Sequence, residues 1–425
     1  MKTIRTSIIP ERQSFARVGK NDEIDFKAIC IFVCTGFFLE SDTFRKNIVV
    51  LQPYTEYDVN EDSLITKSNR YWNWHYSPRE ISLKQAVEEF AQLFEKISSD
   101  KLRGKKIILP LSGGLDSRTQ AAALPDDYSI SSYSYKFANS FDETKYGKEI
   151  ARLKSFPFQE FEIEEGYLWK VIERLAEING CYADFDDIVC FLKKKIVKKG
   201  GQELAESLWE SWGISGNFND YFTERVSGLL NEMKIENANS RVRAFKSTYW
   251  APRWTAANLN VFGDFHEMSL PYFSDEMCRF ICTIPEQHLA GRQIQIEYIK
   301  MKSPELAMIP WQNYDPLNLY DYKKFGSKKM IPGRIIRKGK RMFNENVLGK
   351  KSTTRNWEIQ FIGEDNDCQL KQRLFESKQL QEFIPDEVVR KFYEKFRKDE
   401  VYYSHPVSML LTLSLFCERE IRTVN

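Results

Sequence analysis

The chain has 425 residues, and its 62 Lys and Arg nearly balance its 60 Asp and Glu, for a net charge of +2. Apolar residues make up 42% and aromatic residues 14%, which is enough for sizeable cores, and the 20 Gly and 15 Pro show no periodic repeat. This composition excludes collagen-like, disordered and low-complexity chains, and the near-zero charge gives no argument for a nucleic-acid partner. At this length we expect about two or three domains.

Targeting and metal-binding patterns are absent from the sequence. Residues 1–27 are too polar for the apolar region of a secretory signal. The longest apolar runs, Ala28–Leu39 and Val407–Cys417, have about a dozen residues each, whereas a membrane-spanning helix needs about 20. The 8 Cys include no CxxC pair, so we expect reduced, buried thiols rather than a zinc site. The sequence therefore predicts a cytoplasmic globular protein without a transmembrane segment.

The first predicted domain covers residues 1–76. Its apolar runs Ala28–Phe38 and Ile48–Tyr57 are β-like and are separated by turn residues. An aromatic stretch at residues 71–78 follows and is of the kind that packs two domains together. Ser82 and Gln85 have capping-box spacing, and apolar residues recur every three or four positions to about residue 98, which predicts a helix.

Strands and helices then alternate, which predicts an α/β domain over residues 77–425. The predicted strands are Lys105–Leu111, Tyr128–Lys136 and Phe158–Ile163, and the predicted helices are Ser117–Leu124 and a segment opened by the capping-box pair Ser140 and Glu143. Repeated βα units predict a doubly wound, mostly parallel sheet with helices on both faces. In such sheets ligands bind beyond the carboxyl ends of the strands. A fourth strand is predicted at Glu203–Trp212.

The C-terminal part of the chain is predicted to be mainly helical. The helical segments are residues 274–283, 294–302, 386–399 and 406–421. Between Lys323 and Arg355, twelve Lys and Arg stand against the single acid Glu345. This stretch is either a solvated basic face or a docking surface for an anionic glycan, a nucleotide tail or a membrane surface.

One turn carries most of the chemical information. After the first predicted strand of the α/β domain, the chain runs Pro110-Leu111-Ser112-Gly113-Gly114-Leu115-Asp116-Ser117-Arg118. A strand, a glycine turn and a helix place unpaired backbone N–H groups and the positive end of the helix dipole at one point, which binds anions. Glycines allow close approach of phosphate oxygens, and a carboxylate such as Asp116 beside a polyphosphate can hold Mg²⁺. The simpler alternative is a tight turn with Asp116 as an N-terminal helix charge.

This turn resembles the PP-loop of ATP pyrophosphatases, whose pattern is SGGxDS. Flanking segments are similar to those of the asparagine synthetase family, over roughly residues 28–310. They are Tyr71-Trp72-Asn73-Trp74, Leu270-Pro271-Tyr272-Phe273-Ser274-Asp275-Glu276-Met277, Thr283-Ile284-Pro285 and Ser303-Pro304-Glu305-Leu306-Ala307. The resemblance implies an ATP-binding fold of the adenine nucleotide alpha hydrolase type, with a helical C-terminal part and a small β-rich N-terminal remnant.

The resemblance also implies a set of site residues. Ser112, Gly113, Gly114, Asp116 and Ser117 would hold the ATP phosphates and Mg²⁺. Leu111 and Ser134 would lie near the adenine, and Asp142 at the edge of the cleft. A second glycine loop, with Gly213 and Gly216, would complete the site.

Three departures from the family pattern stand out. Glutamine-dependent members begin with a nucleophilic Cys, but here Lys2 follows Met1 and no Cys precedes Cys30. Residues 1–76 therefore resemble a shortened glutaminase remnant, and we expect nitrogen to come from ammonia, an amine or a separate donor protein.

In the second loop, Asn217 stands where the family has a magnesium-binding Asp. Asn keeps an oxygen ligand but lacks the charge, and Asp220 is either its substitute or a turn residue. The family also carries a basic residue on the helix before its second Pro segment. Arg292 and Lys300 are the nearest positive charges, and Lys300 is the candidate that stabilises charge during amine attack, the alternative being an exposed helix charge.

Three functions remain open on this sequence. The first is an ATP-dependent, amide-forming ligase that joins a small-molecule, peptide or glycan carboxylate to ammonia or an amine. The second is a catalytically degenerate nucleotide-binding or scaffold relative. The third is a PP-loop enzyme that thiolates or otherwise modifies tRNA, which the small net charge and the lack of paired Cys disfavour.

Overall fold

The computed structural model describes residues 2–140, 142–179, 199–327 and 355–421. The chain forms two compact units, each assembled from separate stretches. The first unit contains Met1–Tyr76, Leu168–Cys282 and Gln360–Asn425, and the second contains Ser77–Tyr167 and Thr283–Ile359. The first break between units thus falls at Tyr76 and Ser77, and the first unit also takes in two later stretches. Within the described residues, no helix combines the length and apolar character that crossing a membrane requires.

The first unit contains five short strands in its N-terminal stretch. They are Lys2–Arg5 (β1), Phe15–Arg17 (β2), Ile48–Val50 (β3), Thr55–Val59 (β4) and Ile65–Arg70 (β5). β1, β4 and β5 form an antiparallel sheet in the order β1-β4-β5, and β2 pairs antiparallel with β3. The predicted run Ile48–Tyr57 is therefore divided between two strands, because a turn at Pro53 and Tyr54 interrupts it.

The helices in chain order begin with Phe26–Thr35 (α1), Leu83–Leu102 (α2), Leu115–Ala123 (α3), Thr144–Leu153 (α4), Tyr167–Asn179 (α5), Lys199–Ser211 (α6), Phe218–Glu232 (α7), Ala238–Phe245 (α8) and Ala256–Gly263 (α9). They continue with Asp275–Cys282 (α10), Glu286–Leu289 (α11), Gln293–Lys302 (α12), Pro304–Met308 (α13), Asn356–Phe361 (α14), Glu364–Phe375 (α15), Lys378–Phe383 (α16), Asp386–Lys398 (α17) and Glu400–Phe416 (α18). π-helical turns cover Lys246–Thr255 and Cys417–Ile421.

The prediction of a strand at Ala28–Phe38 is wrong, because this run forms helix α1. Asp25 caps its N-terminus by accepting a hydrogen bond from Ala28 N, and Gly36 ends it in the left-handed conformation. Every residue from Ala28 to Thr35 is buried, and α1 packs against α6 and α18. A helix buried on all sides has no polar face, so its sequence shows no helical period.

The prediction of a fourth strand at Glu203–Trp212 is also wrong, because these residues lie in and just after helix α6. The buried residues of this segment recur at the spacing of one helical face: Leu204, Ala205, Leu208 and Trp209. Gly213 then ends the helix with a positive φ of 61°, and the N–H of Ile214 donates to Trp209 O at 3.1 Å. The glycine thus terminates a helix rather than following a strand.

The second unit is built on a parallel sheet. Its strands are Lys106–Pro110 (β6), Ser129–Phe137 (β7) and Phe158–Ile163 (β8), in the order β6-β7-β8. These strands confirm the predicted alternation of strands and helices, and the chain is a mixed α/β protein. A doubly wound sheet needs a reversal of strand order. The strands in the described ranges follow the chain order and show no such reversal, so the doubly wound form is not established.

The packing of the second unit places its helices around the parallel sheet. One face of the sheet, with Ile107, Leu109 and Ile130, is buried, and α3 packs on β6 while α4 packs on β7 and β8. Helix α12 packs against α2 and α3, with the ring of Tyr298 5.3 Å from that of Phe90. The carboxyl ends of the parallel strands therefore point toward the turns that precede α3 and α4.

The other predicted helices are borne out with small shifts of their ends. The capping box at Ser82 and Gln85 is complete at the start of α2, and α10, α12, α17 and α18 match the four predicted C-terminal segments. The predicted capping pair Ser140 and Glu143 is wrong: α4 begins at Thr144, and no side chain of Glu143 caps it in the described structure. Most of the basic stretch 323–355 lies outside the described residues.

Candidate functional site

The turn at residues 112–117 connects β6 to α3 at the carboxyl end of the sheet. Its two serines hold each other: Ser112 N donates to Ser117 Oγ at 3.1 Å, and the two hydroxyl oxygens are 3.1 Å apart. Gly114 N donates to Ser112 Oγ at 3.3 Å. Ser112 and Asp116 are exposed, whereas Gly113 is buried. The turn is thus internally ordered and still presents two hydroxyls and a carboxylate to solvent.

The N-terminus of α3 has the features of an anion site. Gly114 is the N-cap residue of α3. Because glycine has no side chain, the N-cap makes no side-chain hydrogen bond to the first turn of the helix. A helix start without a capping side chain leaves backbone N–H groups and the positive dipole end available to an anion. Gly114 has room for a side chain, since an added Cβ would meet only Ser112 Oγ, at 3.4 Å.

Gly113 is closely packed against two neighbouring side chains, and its predicted role in phosphate binding stays a prediction. A Cβ on Gly113 would lie 2.6 Å from Gln312 Cβ and 2.7 Å from Tyr146 Cδ2. Gln312 N also donates to Gly113 O at 3.3 Å. The absence of a side chain at Gly113 therefore lets the turn pack closely against Gln312 and Tyr146 on the side away from the exposed serines.

The carboxylate of Asp116 is held by two side chains from the start of α12. Arg292 Nη1 lies 3.1 Å from each carboxylate oxygen, and Gln295 Nε2 donates to Oδ1 at 2.8 Å. The side chains of Asp116 and Arg292 are 58% and 52% exposed, so this pair contributes little to folding stability. Of the predicted catalytic residues, the structure brings Arg292 to the turn.

Arg292 adopts a left-handed backbone conformation, with φ of 60°, directly after Gly291 at 62°. A residue with a Cβ pays a conformational cost in this region, and such residues concentrate at functional sites. The two residues form the kink from which α12 begins, and this kink directs the Arg292 side chain to Asp116.

Lys300 lies two turns further along α12. Its Nζ is 2.8 Å from Glu297 Oε1 and 5.2 Å from the centre of the Tyr320 ring. Both contacts hold the ammonium on its own side of the helix, and neither involves the turn. Its predicted role in amine attack stays a prediction.

The predicted adenine-side residues lie on β6 and β7. Leu111 is buried, and its N–H donates to Tyr133 O at 2.8 Å, which extends the pairing of the two strands to the turn. Ser134 is buried on the helix-covered face of β7. No contact in the described structure assigns either residue to a ligand.

Asp142 lies just before α4, near the carboxyl ends of β7 and β8. Its Oδ1 accepts hydrogen bonds from Thr144 N at 3.1 Å and from Thr144 Oγ1 at 2.6 Å. The Thr144 hydroxyl holds the pKa of Asp142 below its usual value. The same hydroxyl lies 2.7 Å from Glu160 Oε2, and one proton cannot serve both carboxylates at once. Asp142 thus caps the first turn of α4.

Asn217 and Asp220 belong to the first unit, whereas Asp116 belongs to the second. Asn217 is the N-cap of α7, and its Oδ1 accepts a hydrogen bond from Asp220 N at 2.9 Å. Gly213 and Gly216 both have positive φ, and Trp209 Nε1 donates to Gly216 O at 3.0 Å. These four residues shape a connection between two helices, and their role in nucleotide or metal binding stays a prediction.

Arg118 is the residue that sequence reasoning missed. It is fully buried on α3, and its guanidinium donates to three backbone carbonyls, those of Leu306 at 3.2 Å, Ile309 at 2.9 Å and Pro310 at 2.9 Å. Burial lowers the pKa of Arg118 to about 10. No carboxylate of the described ranges pairs with it. The only signal in the sequence is its place directly after the SGGxDS motif, which does not reveal what it contacts.

The donor set at the turn fits Mg²⁺ only in part. The described residues contain no group of three or more His, Cys, Asp or Glu side chains arranged to hold a metal. Magnesium sites on nucleotides, however, commonly use one or two carboxylates together with phosphate oxygens and water. Asp116 can supply such a carboxylate once it exchanges its contacts with Arg292 and Gln295.

Comparisons with known proteins add little to what the residues of the site indicate about function. No protein-family model and no curated protein matches the sequence. Among solved structures, the chain is similar to glutamine-dependent NAD+ synthetase from Acinetobacter baumannii, in complex with ADP, with 14% identity and a TM-score of 0.23. The match covers 75% of this chain and 53% of the synthetase, so it spans about half the length of that enzyme. At so low a TM-score, the argument about function rests on the residues of the site.

Proposed function

We propose that this protein is an ATP-dependent ligase of the asparagine synthetase type. It adenylates a carboxylate, releases pyrophosphate, and passes the activated acyl group to ammonia or an amine without a glutaminase activity of its own. The single observation that carries the proposal is the uncapped start of α3 directly after a parallel strand, with the paired hydroxyls of Ser112 and Ser117 and the exposed carboxylate of Asp116 beside it.

The proposed chemistry needs few protein groups. An oxygen of the substrate carboxylate attacks the α-phosphorus, the bond to the β-phosphate oxygen breaks, and pyrophosphate leaves. The amine nitrogen then attacks the acyl carbon, AMP leaves, and the nitrogen loses a proton to water or a base. The backbone N–H groups of α3 and the hydroxyls of Ser112 and Ser117 would bind the phosphates, with Mg²⁺ on Asp116 to offset their charge.

Arg292 has a place in this proposal. Its guanidinium is already at the turn, and a triphosphate on α3 would offer it oxygen atoms in place of Asp116. Arginine binds phosphate through two parallel hydrogen bonds, so the exchange loses no ion pair. We therefore expect Mg²⁺ on Asp116 and ATP phosphates on Arg292 to favour each other's binding.

The experiment is isotope exchange between pyrophosphate and ATP, measured with a panel of amino acids, peptides and acidic sugars. We expect magnesium-dependent exchange with one class of carboxylate, and its loss in Asp116→Asn. Asp100→Asn is the matched control, since Asp100 is an exposed carboxylate of the same unit that pairs only with Lys96 in the described structure. Calorimetric titration with Mg²⁺-ATP measures binding separately from exchange.

A degenerate relative without activity is the second candidate. The helix in place of the predicted strand Glu203–Trp212, and Asn217 engaged as a helix cap, favour it. It predicts that the protein binds Mg²⁺-ATP but shows no exchange with any member of the panel. Failure to bind nucleotide at all would contradict both candidates.

A further inference from the structure

We propose that Arg118 is a positioning residue that sets the shape of the turn at residues 112–117 through the segment Leu306–Gln312. It acts from the buried side of the turn and touches no part of the nucleotide. Its consequence for binding rests on the proposed function, whereas its effect on the segment does not.

The first link runs from α3 to the segment. Nη1 of Arg118 donates to the carbonyls of Leu306 and Ile309, and Nη2 donates to that of Pro310. The carbonyl of Leu306 lies near the end of α13 and also accepts a hydrogen bond from Ile309 N at 3.3 Å, whereas the carbonyls of Ile309 and Pro310 follow the helix. A planar guanidinium presents its N–H donors from separate nitrogens in fixed directions, whereas the lysine ammonium presents three donors from one nitrogen on a flexible stem. Arg118 therefore fixes the path of the chain as it leaves α13.

The second link runs from the segment back to the turn. Two residues beyond Pro310, Gln312 donates its backbone N–H to Gly113 O at 3.3 Å. The side chain of Gln312 occupies the space beside Gly113, since a Cβ added to Gly113 would lie 2.6 Å from Gln312 Cβ. Arg118, the segment and Gly113 thus close a loop of contacts that begins and ends beside the same helix N-terminus.

Burial explains why this arrangement is rigid. Arg118, Leu306 and Ile309 are almost completely buried. A charged hydrogen-bond network away from water is costly to rearrange, because a buried carbonyl such as that of Ile309 would lose its partner. The phosphate-binding N–H groups need to be held within about 0.5 Å of their working positions, and a supporting layer of this kind provides that precision.

The experiment compares Arg118→Lys with Arg253→Lys. Arg253 is a matched control because it is also buried, and it also donates to two backbone carbonyls, those of Glu40 at 2.7 Å and Asp42 at 2.5 Å, but within the first unit. Both variants keep the charge and lose the guanidinium fork. The full-length proteins are compared by hydrogen exchange without nucleotide and by calorimetric titration with Mg²⁺-ATP.

We expect Arg118→Lys to speed exchange of the Gln312 amide by about tenfold and to weaken Mg²⁺-ATP binding by about tenfold, as the loss of one charged hydrogen bond implies. Arg253→Lys should change neither quantity, although it lowers overall stability. Unchanged Gln312 exchange in Arg118→Lys, or equal effects in both variants, would overturn the proposal.

The experiment also distinguishes failure of the proposed function from failure of the link between Arg118 and the segment. If the wild-type protein binds no nucleotide, the proposed function fails, while faster Gln312 exchange in Arg118→Lys still supports the link to the segment. If Arg118→Lys does not fold, Gln312→Gly tests the second link, because it removes the side chain that packs beside Gly113 and leaves the guanidinium of Arg118 in place. Weaker Mg²⁺-ATP binding by Gln312→Gly supports the proposal, and unchanged binding refutes it.

Discussion

At the scale of single residues, the two adjacent glycines of the turn serve different purposes. Gly113 is required because a Cβ there would overlap Gln312 and Tyr146, whereas a Cβ on Gly114, the N-cap of α3, would meet only Ser112 Oγ at 3.4 Å. Their φ values are not in the left-handed region, so neither needs glycine for its backbone conformation. Contact with neighbours, rather than backbone freedom, decides which of the two can carry a side chain.

We expect Gly113→Ser to lower the free energy of unfolding by about 1–3 kcal/mol, because its Cβ would overlap Gln312 and Tyr146. Gly114→Ser is the matched control and should change stability by less than about 0.5 kcal/mol, since serine is a favourable N-cap residue. Urea denaturation of both variants measures the difference. Equal losses would show that Gly113 is not tightly packed.

A second residue-scale prediction concerns pH. The Thr144 hydroxyl lowers the pKa of Asp142, so this hydrogen bond stabilises the fold above the unfolded pKa of about 4 and loses its effect as pH falls through the folded pKa. In Thr144→Val, we expect the pKa of Asp142 to rise toward its ordinary value in an NMR titration. The stability lost in this variant should be larger at pH 7 than at pH 3.

Glu160→Gln is the control for that titration. It removes the other carboxylate beside the Thr144 hydroxyl but leaves the bond to Asp142 in place. The pKa of Asp142 should therefore stay low in this variant. A rise equal to that in Thr144→Val would assign the shift to something other than the hydroxyl.

At the scale of elements, the N-terminal helix α1 shows how burial hides secondary structure. Its ends carry clear local signals, Asp25 as N-cap and Gly36 in the left-handed conformation. Its interior is apolar on every side because α6 and α18 pack around it. Helix α6 lacks such a continuous run, but its buried residues Leu204, Leu208 and Trp209 lie on one helical face. In both segments the apolar residues alone were compatible with a strand or a helix, and tertiary packing decided for the helix.

The end of α1 gives a direct test. Gly36 has φ of 82°, where a Cβ is costly, so Gly36→Ala should lower the free energy of unfolding by about 1–2 kcal/mol. Gly228 lies inside α7 with nothing within 4 Å of an added Cβ, and Gly228→Ala should raise stability by about 0.5–1 kcal/mol. Thermal or urea unfolding measures both. The same sign for the two substitutions would contradict the assigned conformations.

At the scale of the whole molecule, the N-terminal stretch is part of the core of the first unit. Ile8, Tyr54 and Trp72 pack in one cluster with Ile235 and Cys278 from later stretches. Ile8 N also donates to Asp275 Oδ1 at 2.8 Å. Residues 1–76 thus contribute to the stability of the unit, whatever their relation to a glutaminase domain.

We expect Ile8→Ala to lower the free energy of unfolding by about 2–5 kcal/mol, because the residue is fully buried and the substitution leaves a cavity. Val18→Ala is the control, since Val18 is 51% exposed, and should cost less than about 0.5 kcal/mol. Urea denaturation, followed by far-UV circular dichroism, measures both variants. A small effect of Ile8→Ala would mean that the N-terminal stretch is not part of a cooperative core.

Local sequence patterns were sufficient to predict the main strands and helices at the start of the second unit. The strand, the SGGxDS turn and the capped helix α2 were predictable because alternation, glycine positions and the Ser82–Gln85 pair act over a few residues. The tertiary structure alone decided that Arg292 reaches Asp116 and that Arg118 ties α3 to Leu306, since each pair is separated by more than 170 residues. It also decided that Ala28–Phe38 and Glu203–Trp212 are helical. These features depend on what packs around a segment, and a local pattern carries no record of its distant neighbours.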